Sequence, residues 1–126
     1  MSGPDTIFVV DDDAGVREST RALLESYGMD VQEFASASEF LHAHPEPHSG
    51  CLVLDIHMPG MSGTELIREL RARGATIPVI GITGRYDPAL GERLRGAGAF
   101  DLLLKPVEDS HLKAVIDHTL ELRRSH

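Results

Sequence analysis

The chain has 126 residues, 41% of them hydrophobic and 25% charged, which gives room for one folded unit with its own core and not for two. Twenty acidic against twelve basic side chains leave a formal charge of -8, which argues against a segment that grips phosphate backbones by itself. Cys51 is the one cysteine, so an internal disulfide is excluded, and neither a membrane-span run nor the basic flank and apolar stretch of a signal peptide is present; a cytoplasmic setting without membrane contact is the expectation.

Short apolar runs alternate with longer segments of helical period, strand then helix, five times over. Ile7 to Val10 predicts a buried strand, and Val16, Thr20, Leu23, Leu24 and Tyr27 recur at helical spacing over about Gly15 to Tyr27, with Gly28 as the stop. Residues 30 to 34 alternate as a second strand, and Ser36 with Glu39 has the pattern of a capping box for a helix carrying Phe40 and Leu41. His42 to Gly50 is polar with two prolines and reads as a loop. Cys51 to Leu54 is apolar throughout and runs into Asp55, which predicts a central parallel strand covered on both faces.

Thr64 to Arg73 reads as a helix that buries Leu66, Ile67 and Leu70 and turns Arg68, Arg71 and Arg73 to water. Pro78 to Ile82 is the fourth strand. Asp87 and Pro88 form an N-cap and N1 pair for a helix that holds Gly91 and ends near Gly96. It is the weakest of the five by propensity, since an interior glycine costs about 1 kcal/mol relative to alanine. Phe100 to Leu104 is the last strand, and about Val107 to Arg124 the last helix, with Leu112, Val115, Ile116 and Leu120 on one side. Right-handed crossovers then place helices on both faces of one parallel sheet, an α/β doubly wound (βα)5 domain over residues 1–126 with its core at about 6–124.

In such sheets sites form beyond the carboxyl ends of the strands. Strand one ends in Asp11, Asp12 and Asp13, strand three in Asp55, strand four at Thr83 and Gly84, and strand five in Lys105 and Pro106. If strands one and three are neighbours, three carboxylates converge and oppose their own ionisation unless a cation joins them. Mg2+ suits that set, because it takes hard oxygen ligands and is commonly held by one or two carboxylates plus a phosphate. Asp55, alone at the end of the apolar strand, is the candidate nucleophile toward phosphorus; Asp11 and Asp12 are a pair suited to holding the ion. Lys105 offers a positive charge and Thr83 a hydroxyl to a transferred phosphoryl group, and Gly84 leaves space above the site.

Plainer readings stand beside these. Asp12 or Asp13 could serve only as a helix N-cap, Asp55 as a turn acid, Thr83 as an ordinary strand-end hydroxyl and Lys105 as an exposed lysine. A cis Lys105–Pro106 bond would aim the lysine, but base rates favour trans. The backbone carbonyl of His57 suits Mg2+ better than its imidazole does. His42, His44 and His48 lie in a proline-rich stretch without a cysteine partner, which argues against zinc.

With VVDDD at 9 to 13, LVLDIHMPGMSG at 52 to 63, ITG at 82 to 84 and LLLKP at 102 to 106, the chain resembles a receiver domain of two-component response regulators over about residues 6 to 124. MSG in the third strand-to-helix loop and the TG pair resemble the nitrogen-fixation and nodulation (FixJ-like) class. The resemblance implies a flavodoxin-like sheet of order 2-1-3-4-5 and a phosphoryl group taken by Asp55 from a histidine kinase. It implies Mg2+, or Mn2+ in its place, held by Asp11, Asp12, Asp55 and the His57 carbonyl, with Thr83 and Lys105 on the phosphoryl oxygens. It further implies a signalling or dimerisation surface on helix four, strand five and helix five, and a C-terminal DNA-binding output domain for transcription regulation in a longer protein. Where such domains carry an aromatic switch residue this sequence has Leu102; Phe100 is the nearest ring, so the change on phosphorylation is expected mainly between Thr83 and Gly96.

Two other functions compete. An Mg2+-dependent phosphatase or phosphotransferase acting on external substrates needs a substrate enclosure, for which short connections leave little material, so no external turnover is expected beyond self-phosphorylation and slow autodephosphorylation. An unphosphorylated interaction module gains support from Leu102 and loses it to the complete set of Asp11, Asp12, Asp55, Thr83 and Lys105.

Overall fold

A computed structural model describes residues 5–45, 49–85 and 87–124. Five parallel strands, β1 (Thr6–Val10), β2 (Asp30–Phe34), β3 (Cys51–Asp55), β4 (Val79–Thr83) and β5 (Asp101–Leu104), lie in the order β2-β1-β3-β4-β5. They alternate along the chain with α1 (Ala14–Ser26), α2 (Ala37–Ala43), α3 (Gly63–Ala72), α4 (Pro88–Ala97) and α5 (Asp109–Arg124). This is the doubly wound, flavodoxin-like order that the resemblance implies.

Alternation along the strands divides the core in two. Phe8, Val10, Leu52 and Leu54 face α2, α3 and α4, where Phe40, Leu41, Leu66, Ile67, Leu70, Leu90 and Leu94 meet them. Ile7, Val9, Cys51 and Val53 face α1 and α5 and pack on Leu24, Leu112, Ile116 and Leu120. Each fully buried side chain of this size contributes about 1.5–3 kcal/mol. Every residue of β3 is buried, as its unbroken apolar run predicts.

The helix starts follow their capping residues. Asp13, Ser36, Ser62 and Asp87 each accept a backbone N–H one turn into α1, α2, α3 and α4. Ser62 and Glu65 form a complete capping box. The box predicted at Ser36 is only half made, because the Glu39 carboxylate accepts instead from the Ala35 N–H at 2.9 Å. Despite Gly91, α4 is a full helix: Asp87 and Pro88 start it, and Leu90, Gly91 and Leu94 are buried.

Three expectations need correction. The stretch read as a loop from His42 is still helical through Ala43, because α2 carries Phe40 into an aromatic cluster with Phe8 and Phe34. His44 closes that cluster with its ring 4.7 Å from Phe8. Arg71 does not face water: its guanidinium donates to the carbonyls of Ala75, Ile77 and Gly98 at 3.1, 2.8 and 2.9 Å and ties α3 to the end of α4. The Lys105–Pro106 bond is cis, against the base rate. Element ends otherwise move by one or two residues, the largest shift being α5, which starts at Asp109 and not Val107.

Gly63 lets α3 approach the end of β3. Its N–H donates to the Ile56 carbonyl at 3.0 Å, and a Cβ there would lie 2.7 Å from Ile56 Cα and 3.1 Å from the Asp55 carbonyl oxygen. Gly63→Ala must therefore push the helix from the strand end, at an expected cost of about 1–3 kcal/mol in urea unfolding; an unchanged midpoint would show that this contact gives way freely.

Candidate functional site

The parallel register assembles the site. Val10 pairs with Leu54, so Asp11 emerges beside Asp55; Asp55 pairs with Ile82, and Thr83 with Leu104, so Thr83 and then Lys105 come next along the same edge. Ligand oxygens of Asp11, Asp12 and Asp55 lie within 4.8 Å of one another, the one such group of three or more metal-ligating side chains among the described residues. His42 and His44 take no part in it, and His48 lies outside the described residues.

Each acid is oriented by its own loop. Asp11 Oδ1 accepts from the Asp13 N–H at 2.9 Å, while the Asp11 carbonyl accepts from Arg17 Nη1 at 2.7 Å. Arg17 is held in turn by Glu33 of β2 at 3.2 Å. Asp13 caps α1 through Val16 N–H, so the capping role falls to Asp13 and leaves Asp12 exposed beside the cluster. Asp55 Oδ1 accepts from the His57 N–H at 3.3 Å and stands 3.8 Å from Lys105 Nζ.

Thr83 is fully buried, and its hydroxyl has three partners: the Arg85 N–H at 3.1 Å, the Arg85 carbonyl at 3.0 Å and His57 Nε2 at 2.9 Å. The last was missed from sequence, where His57 counted only for its backbone. Arg85 was missed too; with Asp55, His57, Gly84 and Lys105 it lines an open cleft over the strand ends. Pro106 lies outside this cleft, in a neighbouring groove. Leu102 is half-buried and packs on the α2–α4 side, its Cδ1 3.3 Å from where a Gly81 Cβ would stand. Phe100, 41% exposed, precedes β5.

Burial holds the carboxyls of both Asp11 and Asp55 above the usual carboxylate range. At Asp55 the Asp11 charge adds to it, against Lys105 and the His57 N–H; at Asp11 the Asp13 N–H and Lys105 oppose it, and Asp12 and Asp13 add to it. This donor set, three crowded carboxylates whose ionisation is disfavoured, fits a small hard cation such as Mg2+.

A pattern of the response regulator receiver domain matches residues 7–117. The transcriptional regulatory protein FixJ of Azorhizobium caulinodans is 45% identical over 114 residues, covering 90% of this chain and 54% of that protein. The transcriptional regulatory protein TdiR of Thauera aromatica is 40% identical over 119 residues, covering 94% and 52%. The chain thus spans about half the length of the curated relatives it matches. Among solved structures, FixJ-N is similar at a TM-score of 0.86 and 38% identity over 96% of each chain. The response regulator StyR has a TM-score of 0.86 at 47% identity, covering 98% of this chain and 64% of that one.

A carboxyl that binds its proton more tightly folded than unfolded makes the fold less stable as pH rises through the raised pKa, and the loss persists at neutral pH. With a chelator present, Asp55→Asn should raise the urea midpoint at about pH 7 and lose that advantage toward about pH 3, where the wild-type carboxyl is neutral as well. A variant no more stable than wild type at neutral pH would contradict the crowding.

Proposed function

The chain belongs to the response regulator receiver domain family, and from that premise we propose that it is a phosphorylation-controlled switch with Asp55 as its phosphoacceptor. The observation that carries this reading is the setting of that carboxylate, buried at the end of β3, 3.8 Å from Lys105 Nζ and clustered with Asp11 and Asp12.

In the proposed reaction an Asp55 oxygen attacks the phosphorus of a phosphohistidine on a histidine kinase. The new P–O bond forms as the P–N bond breaks, the imidazole leaves with the kinase, and an acyl phosphate remains. Asp11, Asp12, Asp55 and the His57 carbonyl supply the oxygens for Mg2+, or Mn2+ in its place. When bound, that cation offsets the crowded charge and polarises the phosphoryl group. Lys105 holds a phosphoryl oxygen by charge, Thr83 donates its hydroxyl to another, and Gly84 keeps the approach open. The chain assists its own phosphorylation and slow hydrolysis, with no turnover of an external substrate in this reading.

Beside the cleft an apolar groove of about 540 Å³ runs between α1 and the start of α5, lined in part by Val16, Leu23, Ile82, Val107 and Leu112. It shares Gly84 and Lys105 with the cleft, so a histidine kinase docked there would lie beside Asp55. On the output side Leu102 offers no ring to swing, and the change is carried by the segment from Gly84 to Gly96 to the face of α4, β5 and α5. Phe100 and Leu104, 41% and 53% exposed, give that face apolar surface for a second copy. FixJ and TdiR are transcriptional regulatory proteins of about twice this length, which supports an output that acts on transcription in a longer protein. The DNA-binding form of that output domain and a cytoplasmic setting are what the family resemblance implies.

Incubation with acetyl phosphate and Mg2+ followed by intact-protein mass spectrometry should show one added phosphoryl group, absent in Asp55→Asn. Amide resonances of the phosphorylated form should move most between residues 84 and 96. An Asp55→Asn protein that still gains the group would place the phosphoacceptor elsewhere.

A further inference from the structure

Thr83 carries one hydroxyl proton and two lone pairs, and three groups of His57 and Arg85 stand within hydrogen-bond distance of them. The Arg85 N–H donates to the oxygen at 3.1 Å. If the hydroxyl proton goes to the Arg85 carbonyl at 3.0 Å, His57 Nε2–H donates to the second lone pair; in the other tautomer the proton goes to Nε2 itself. Under either assignment no proton is left for a phosphoryl oxygen on Asp55. The imidazole concerned belongs to the loop that leaves Asp55, and the same residue's N–H is on Asp55 Oδ1. His57 therefore joins the acceptor carboxylate by its backbone and the buried Thr83 by its ring.

We propose that His57 is a positioning residue for Thr83: its ring holds the hydroxyl in the resting arrangement, and the loss of that hydrogen bond sets how readily the site closes on a phosphoryl group. The inference rests on the phosphoacceptor reading of Asp55. His57 is exposed and lines the cleft, so its imidazole can leave Thr83 for solvent without opening the core. Breaking one hydrogen bond of this kind shifts an equilibrium by about 3- to 10-fold.

The test uses beryllofluoride, a phosphoryl mimic, titrated into the Mg2+-loaded domain and followed by fluorine NMR. His57→Ala should bind it about 3- to 10-fold more tightly than wild type, and His57→Gln, whose amide can reach the same hydroxyl, should return to near the wild-type value. In a Thr83→Ala background the gain from His57→Ala should vanish. The Thr83 methyl resonance of the metal-free protein should also shift in His57→Ala and not in His57→Gln. Equal or weaker binding by His57→Ala overturns the proposal, as does a gain that survives Thr83→Ala, which would make the effect one of access and not of Thr83. If wild type takes up no beryllofluoride, the phosphoacceptor reading falls first and the proposal with it.

Discussion

Parallel pairing of β1 with β3 is the constraint on which the rest of the structure depends. Once Val10 lies opposite Leu54, the next residue of each strand is an aspartate, and neither can escape the other. The pairing is held by the two buried faces of β3, because Leu52 and Leu54 fill one core and the smaller Cys51 and Val53 the other, and a one-residue slip would exchange them. Core burial thus holds together charges that repel, and the site is assembled at the expense of stability.

The surroundings relieve this crowding only in part. The N–H groups of Asp13 and His57 each meet a carboxylate oxygen, and Arg17 takes the Asp11 carbonyl while bound to Glu33. Lys105, the nearest cation, stands 3.8 Å from Asp55, too far for a hydrogen bond. Its distance leaves the Asp55 carboxylate facing the cleft without a side-chain hydrogen bond from Lys105. Thr83 is treated in the opposite way: its hydroxyl is fully engaged. One side of the cleft thus holds crowded carboxylates and the other a buried hydroxyl ringed by three partners.

What the sequence disclosed was whatever short-range pattern controls. The apolar run into Asp55, the Asp87 and Pro88 pair and the motifs at the four strand ends marked out the sheet, its helices and the residues that meet at the strand ends, because periodicity, capping and strand alternation act over a few neighbours. The features missed depend on partners far apart. His57 and Thr83 are 26 residues apart, and Arg71 reaches a carbonyl 27 residues away, so no local pattern announces either. Arg17 likewise meets Glu33 of β2, 16 residues further along the chain. The longer α2 reflects the same limit, since the aromatic cluster that extends it draws Phe8, Phe34 and Phe40 from three separate elements.

The central claim is that carboxylates forced together by the core form a cation site at the strand ends. Paramagnetic broadening of amide resonances by substoichiometric Mn2+ tests it most directly. The account predicts strong broadening confined to the residues around Asp11 to Asp13, Asp55 to His57 and Lys105, displaced by excess Mg2+. Weak broadening spread over the acidic surface, or a centre elsewhere on the domain, would contradict it.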